Sequence, residues 1–545
     1  MCPMKKLAVW FGVVSFAAVS FAESLVVDIL PSEAWFGVYT FMGSSTPLTK
    51  ETKNLHFDLR FDNWSNQSAP FLVSTKGRYI WCDTAFEGTI DGGKILLKNS
   101  SSPIELAEAG KTLREAFRAA AAKHFPASGK MPDAALFEKP QWNTWIELTY
   151  HQNQDGILEY ARGIRENGFP VGGVMMIDDT WQYDYGVWQF DPRAFRDPKG
   201  MMDELHAMGW KVMVWVCPYV SMDSPGYREM EFGMNDNGEK VEAGGLILER
   251  KGDPKVISWW NGKSAGVDFT SPAGRRWMAR ELKKLQATTG VDGFKFDGGD
   301  MPHYQAPYET FIKATPSELC EAYAKFGLDF PLNEYRACFK MAGQPLAQRL
   351  GDKDHSWNAV QMLMPHMIQA GLLGYQFVCP DMIGSGSWTA FSPSAPFPFD
   401  RELFVRSAQV HALAPMMQFS AAPWKKLKGE YLEAVRAAAW TRMKFAGYIL
   451  KMAKESAASG EPMLRSMEYQ FPGHGWEGVK DQFMMGEDLM VAPQVVKGAV
   501  ERKVVVPPGT WKGDDGSTVV GPAEIVVKTP LSRLPYWTRL GAKFE

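Results

Sequence analysis

Nothing in the 545 residues reads as a cradle for nucleotide phosphates, because neither GxGxxG nor GxxxxGKS/T follows any apolar strand. Histidine is scarce at nine. His206, His355 and His411 show no HxH or HxxxH pairing, which argues against a histidine-held metal centre. No GxSxG elbow ends a strand; "GSGSW" follows Pro380-Asp381 without a clear following helix, so a Ser-His-Asp hydrolase is poorly supported. Cysteine is equally thin. Of the six, Cys2 lies in the first residues, and the other five, Cys82, Cys217, Cys320, Cys338 and Cys379, are widely spaced, odd in number and without CxxC, so they read as core thiols rather than a zinc site or a disulfide framework. The net charge of -3 comes from both signs scattered along the chain. With no basic stripe and no polybasic patch, neither nucleic acid nor a membrane surface is an expected partner.

Long apolar runs are also missing, except at the start. Lys5 and Lys6 precede about 16 apolar residues and then Ser20-Phe21-Ala22, which fits a signal peptide over residues 1–22. That run falls short of the roughly 20 residues that span a bilayer, and no basic stop-transfer cluster or lipid-accepting cysteine follows. Export to the periplasm or the exterior is expected.

What the chain has in plenty is tryptophan, 20 residues, and methionine, 29. Tryptophan in excess suits stacking on flat apolar faces, sugars among them, although most tryptophans serve a core. The length calls for several domains. Residues 23–139 carry short alternating segments such as "FDLRFDNWSNQSAPFLV" and one Ala-rich helix, which predicts a β-sandwich-like domain. Over 140–460 the text becomes strand, loop, helix, repeated: "GGVMMIDD", "KVMVWVCP", "GVDGFKFDGG", "FPLNEYRA", "LGYQFVCPD" and "MMQFS", each followed by an amphipathic stretch. Such alternation predicts an α/β fold, a (β/α)8 TIM barrel, with an insertion after its third strand at about 221–258. Residues 461–545 return to a small β-domain.

Active sites of such barrels lie at the C-terminal ends of the strands. Asp178 and Asp179 close one strand, Asp297 and Asp300 another, and Asp381 a third; Asp352 lies in "QRLGDKDHSW". One such aspartate is ordinarily a helix cap. Four carboxylate-bearing ends, with Trp and Arg nearby and no histidine spacing for a metal, point instead to glycoside hydrolysis, in which one acid attacks and another donates a proton. Asp292, early in its strand, reads as structural.

These motifs resemble glycoside hydrolase family 31, and within it the branch of the myogenesis-regulating glycosidase, whose activity is that of an α-galactosidase. "IDDTWQYDYGVWQFDPRAF", "WWNGKSAGVDFTSP", "GFKFDGGD", "RLGDKDHSW", "GYQFVCPDMIGSG" and "MQFSAAPW" carry the resemblance. It implies a retaining, exo-acting α-glycosidase that needs no cofactor and takes a small-molecule or oligosaccharide substrate. Asp297 would be the nucleophile and Asp352 the acid/base, with a carboxyl pKa raised by the pocket's tryptophans and by the charge on Asp297. Lys295 would steady the charge of the site and Arg336 would bind substrate. Asp178 would grip the far hydroxyls of the terminal sugar with Asp179 beside it, Trp181, Trp215 and Trp260 would wall the pocket, and Asp381 would belong to the substrate-binding turn. Two departures from the family's α-glucosidases bear on substrate. Arg349 and Leu350 stand where those enzymes carry Trp before the Gly-Asp pair, and Ser420 stands where they carry a His for equatorial hydroxyls. The missing His speaks against glucosidase specificity, and the "MQFS" form shared with the myogenesis-regulating branch implies an α-galactoside, with Arg349 among the substrate-binding residues and with α-glucosidase, α-xylosidase or a non-catalytic carbohydrate binder as the alternatives.

Overall fold

The computed structural model describes residues 19–22, 24–235, 237–392, 394–395 and 398–544. The expected leader lies outside the described residues apart from 19–22, whose backbone pairs antiparallel with Ile104–Glu108. The N-terminal region is two facing sheets. Leu25–Asp28, Lys94–Lys98, Glu87–Asp91 and Leu55–Asp58 form a four-stranded sheet with one face in water, while Gln67–Ser74 and Arg78–Trp81 centre the second sheet and are buried throughout. Val27, Ile95, Leu72 and Ile80 share the core between them. The outer face of the second sheet is covered by the helix Leu113–His124, whose Phe117 meets Phe71 edge to face, so its strands have no wet face and no polar alternation.

The barrel strands are β1 (Gln141–Asn143), β2 (Gly173–Ile177), β3 (Trp210–Val216), β4 (Gly293–Phe296), β5 (Asn333–Tyr335), β6 (Gln348–Arg349), β7 (Val378–Cys379) and β8 (Gln418–Phe419). They run parallel in the order β7-β6-β5-β4-β3-β2-β1-β8, and a single bridge, Met382 to Gln418, joins the two ends. Strand β4 shows why the sequence folds this way. Phe294 and Phe296 face the helix layer, with ring centroids 5.0 Å from Phe330 and 6.0 Å from Phe326, while the alternate residues Lys295 and Asp297 turn into the barrel mouth. The preceding helix, Pro272–Thr289, starts on a Ser271 cap with Pro in its first turn and stops at Gly290, whose φ of 91° is left-handed. That stop delivers the chain into β4 within three residues.

The insertion after β3 contains the helix Pro225–Phe232 and the hairpin Val256–Trp259 with Gly262–Gly266, so it runs past the expected limit of 258. Its tight turn, Trp260–Asn261, reaches the barrel mouth. At the C-terminus a six-stranded antiparallel sheet packs around Trp511, Trp537, Met484 and Met490. The five cysteines of the described residues are buried free thiols. Among the described residues no helix is long and apolar enough to cross a membrane.

Candidate active site

A cavity of about 270 Å³ opens at the C-terminal ends of the strands. It is smaller than the roughly 300–1,000 Å³ usual for drug-sized ligands and suits a single sugar ring. Asp178, Asp179, Trp215, Trp260, Lys295, Asp297, Arg336, Arg349 and Asp352 line it, together with Trp145, Tyr150 and Met382.

Asp297 leaves β4 buried, and both of its oxygens are held. Trp215 Nε1 donates to Oδ2 at 2.8 Å and the Gly298 amide donates to Oδ1 at 3.0 Å. Arg336 Nη1 lies 3.9 Å from Oδ1. The turn that follows needs glycine twice. Gly298 and Gly299 have φ of 71° and 72°, and a Cβ on the second would sit 2.6 Å from the Tyr323 ring. Burial pushes the Asp297 carboxyl up, but Arg336, Lys295 and Arg349 together outweigh it and hold the group below its ordinary range. Lys295 does so from a distance, since its Nζ bonds Asp178 Oδ2 at 2.6 Å in a pair that is almost fully buried.

Asp352 departs from expectation. Its carboxyl pKa is not raised; burial pushes it up, but Arg349, then Arg336 and Lys295, drive it well below the usual carboxylate range. Arg349 Nη1 touches Oδ1 at 2.6 Å and Arg336 Nη1 stands 3.7 Å from Oδ2, so guanidinium groups face the acid where apolar tryptophan was expected to dominate. The side chain keeps 43% of its surface exposed, and water screens these pairs.

Two further expectations are corrected. Trp181 does not wall the cavity: it is fully buried against Phe190 and donates from Nε1 to the Trp215 carbonyl at 2.7 Å, bracing the tryptophan that does. Asp381 is also buried outside the lining, where it accepts from Arg349 Nη1 at 3.0 Å and from the Lys353 amide at 2.8 Å and so fixes Arg349 from behind. Asp300 is fully buried 3.4 Å from Arg336 Nε, while Asp292 binds His206 at 2.8 Å at the far end of the strand. Ser420 is buried and accepts from the Ile146 amide at 2.8 Å.

Trp145, Tyr150 and Met382 were not foreseen, although each follows a strand outlet, the one signal the sequence offered. Asn66 and Gln67, from the N-terminal sheets, gave no signal. Gln67 Nε2 donates to the carbonyls of Arg336 and Arg349 at 2.8 and 2.7 Å, and Asn66 Nδ2 donates to the same two at 2.9 and 3.2 Å.

Comparison with known proteins identifies the family of the fold. The glycosyl hydrolases family 31 TIM-barrel domain matches residues 137–452, and the glycosyl hydrolase family 31 C-terminal domain matches residues 460–542. The myogenesis-regulating glycosidase of Mus musculus is 31% identical over 424 residues, 76% of this chain and 57% of that protein. The isomaltosyltransferase of Sporosarcina globispora is 26% identical over 68% of this chain and 38% of its own length. The chain therefore spans well under two thirds of these relatives. Among solved structures, a GH31 α-xylosidase from a soil metagenome complexed with xylose superposes with a TM-score of 0.80 at 21% identity, covering 95% of this chain and 79% of that one. A Flavobacterium johnsoniae GH31 dextranase complexed with glucose gives 0.79 at 19% identity, covering 96% and 68%. With its barrel and C-terminal domain both matched, the chain belongs to glycoside hydrolase family 31.

Proposed function

We propose that the protein is a retaining, exo-acting α-glycosidase that removes one terminal sugar, with α-galactosides as preferred substrates. One observation carries the reading: a single guanidinium nitrogen, Arg336 Nη1, stands 3.9 Å from one carboxylate and 3.7 Å from the other, at the mouth of a cavity sized for one ring. In the first step the Asp297 carboxylate attacks the anomeric carbon while Asp352 passes its proton to the departing oxygen. In the second, Asp352, now ionised, takes a proton from water, which releases the sugar with retained configuration. The donors on both Asp297 oxygens aim the nucleophile. For Asp352 to carry a proton, Arg349 must relax its hold, and the Asp381 carboxylate already bound to the same nitrogen gives that guanidinium a second resting partner.

The α-galactoside preference is supported by the similarity to the myogenesis-regulating glycosidase and by Ser420, which is turned to backbone where α-glucosidases would present a histidine. α-Xylosidases and α-glucosidases are also among the relatives, and they define the alternatives. A panel of aryl α-glycosides with proton NMR of the first-formed sugar tests the proposal. Release of α-galactose first supports it; a β-anomer would refute retention, and faster turnover of the glucoside or xyloside would refute the preference. As an exported hydrolase, which the N-terminal sequence favours, it would meet oligosaccharides outside the cytoplasm.

A further inference from the structure

A second cavity, of about 590 Å³, adjoins the catalytic pocket. Tyr150 lines both. Between them runs a partition made from three separate loops. Tyr150, after β1, donates its hydroxyl to Asn261 Oδ1 at 2.9 Å. Asn261, in the insertion hairpin, donates from Nδ2 to Asp179 Oδ2 at 2.7 Å and to the Tyr185 hydroxyl at 2.8 Å. Tyr185 in turn donates to Asp179 at 3.1 Å. Aromatic packing stiffens the row: Trp145 meets Tyr150 edge on at 5.2 Å, and Trp259 meets Tyr185 at 4.9 Å.

The barrel fixes which end of a substrate meets this wall. The proton donor marks the leaving-group side, and Asp352 follows β6; Asp179 follows β2, with β5, β4 and β3 lying between the two strands. The partition thus stands across the mouth from the leaving group, at the non-reducing end of a bound sugar. The cavity beyond it is lined by Gln152, Gln182, Tyr183 and Asp184, and it offers hydroxyl-binding groups and an aromatic face to another sugar ring.

We propose that the Tyr150–Asn261–Asp179–Tyr185 partition is what limits this chain to a single terminal sugar, by closing the catalytic pocket against a cavity that would otherwise receive the next unit. The proposal rests on the glycosidase reading given above. Asn261 is the hinge of the wall, because it alone bonds all three of the other members. It sits at a tight turn, so Asn261→Ala removes the bonds without opening a core.

The test uses 4-nitrophenyl α-galactoside and the corresponding disaccharide glycoside in which sulfur replaces the inter-sugar oxygen. That bond cannot be cut, so nitrophenol appears only when the second sugar passes the partition. The wild-type protein should release it from the thio-disaccharide at under about 1% of its rate on the monosaccharide. Asn261→Ala, and Asn261→Ala with Tyr150→Phe, should raise that ratio at least tenfold. Release by the wild-type protein, or no gain in either variant, overturns the proposal. The same thio-disaccharide is titrated calorimetrically in the Asp297→Ala background, where opening the wall should tighten binding about tenfold; unchanged affinity overturns the partition's role. If no aryl glycoside is turned over, the glycosidase reading fails, and the calorimetry still decides the partition.

Discussion

Replacing Arg349 by methionine should move the basic limb of kcat/KM upward. That limb reports the proton donor in the free enzyme, which in the proposed mechanism is Asp352, a carboxyl whose pKa is held down chiefly by Arg349 at 2.6 Å. At that distance, with an effective dielectric of about 40 to 80 because the Asp352 side chain is partly in water although Arg349 is buried, Coulomb attraction is roughly 1.6–3.2 kcal/mol, or about one to two pH units. The sign follows from the charge. Losing a cation raises the carboxyl pKa, so Asp352 stays protonated to higher pH, and the acid limb, set by Asp297, moves the same way by less because Arg349 is the weakest of its three cationic neighbours. Removing Arg349 also strands the buried Asp381, so Arg349→Met with Asp381→Asn is the variant to pair with it. The assay is the pH profile on methyl α-galactoside, whose poor leaving group demands the proton. A basic limb that stays in place or moves down in both variants would refute the reasoning.

Asp297→Ala should abolish turnover, measured as sugar release; near-normal rates would remove it as the nucleophile. Asp352→Ala should lose about 10²–10⁴ in kcat on methyl glycosides but far less on 4-nitrophenyl glycosides, where the leaving group needs no proton. Lys295→Met should cost about 3–5 kcal/mol in urea unfolding, because it leaves Asp178 charged and buried, and Asp178→Asn in the same chain should restore most of the loss. Gln67→Ala should lower kcat/KM about tenfold while the fold persists, because two arginine-bearing backbones lose their braces.

The barrel was legible where its strands are long and apolar. Strand β3 reads "WKVMVWV" and is buried almost throughout because helices cover its outside and side chains fill its inside. Strand β6 was not legible. It is a two-residue ladder of Gln348 and Arg349, polar because both belong to the charged interior, and no periodicity can be read from two residues. The placement of Asp297 was visible from a local pattern, an inward Lys and Asp running into two glycines, and the fold does bring that carboxylate into the cavity. The charge state of Asp352 was not, because its controlling partners arrive on other strands and only folding sets them 2.6 and 3.7 Å away. Trp181 and Trp215 show the same limit at the level of one residue type: the first follows the outlet of β2 and the second sits near the end of β3, and only packing decides that the first supports the second.

Asn66 and Gln67 bear on how this chain can be divided. The sequence changes grammar near residue 140, which invites cutting the barrel free as an independent catalyst. Yet the carbonyls of Arg336 and Arg349 are bonded by side chains from before that boundary, and Cys338–Phe339 adds a strand to the N-terminal sheet beside Gln67–Ser68. A barrel shorn of its first 139 residues would keep every side chain that lines the cavity and lose the frame that sets two of them. Portability stops at the sandwich, and any graft of this site onto another scaffold has to carry those two amides with it.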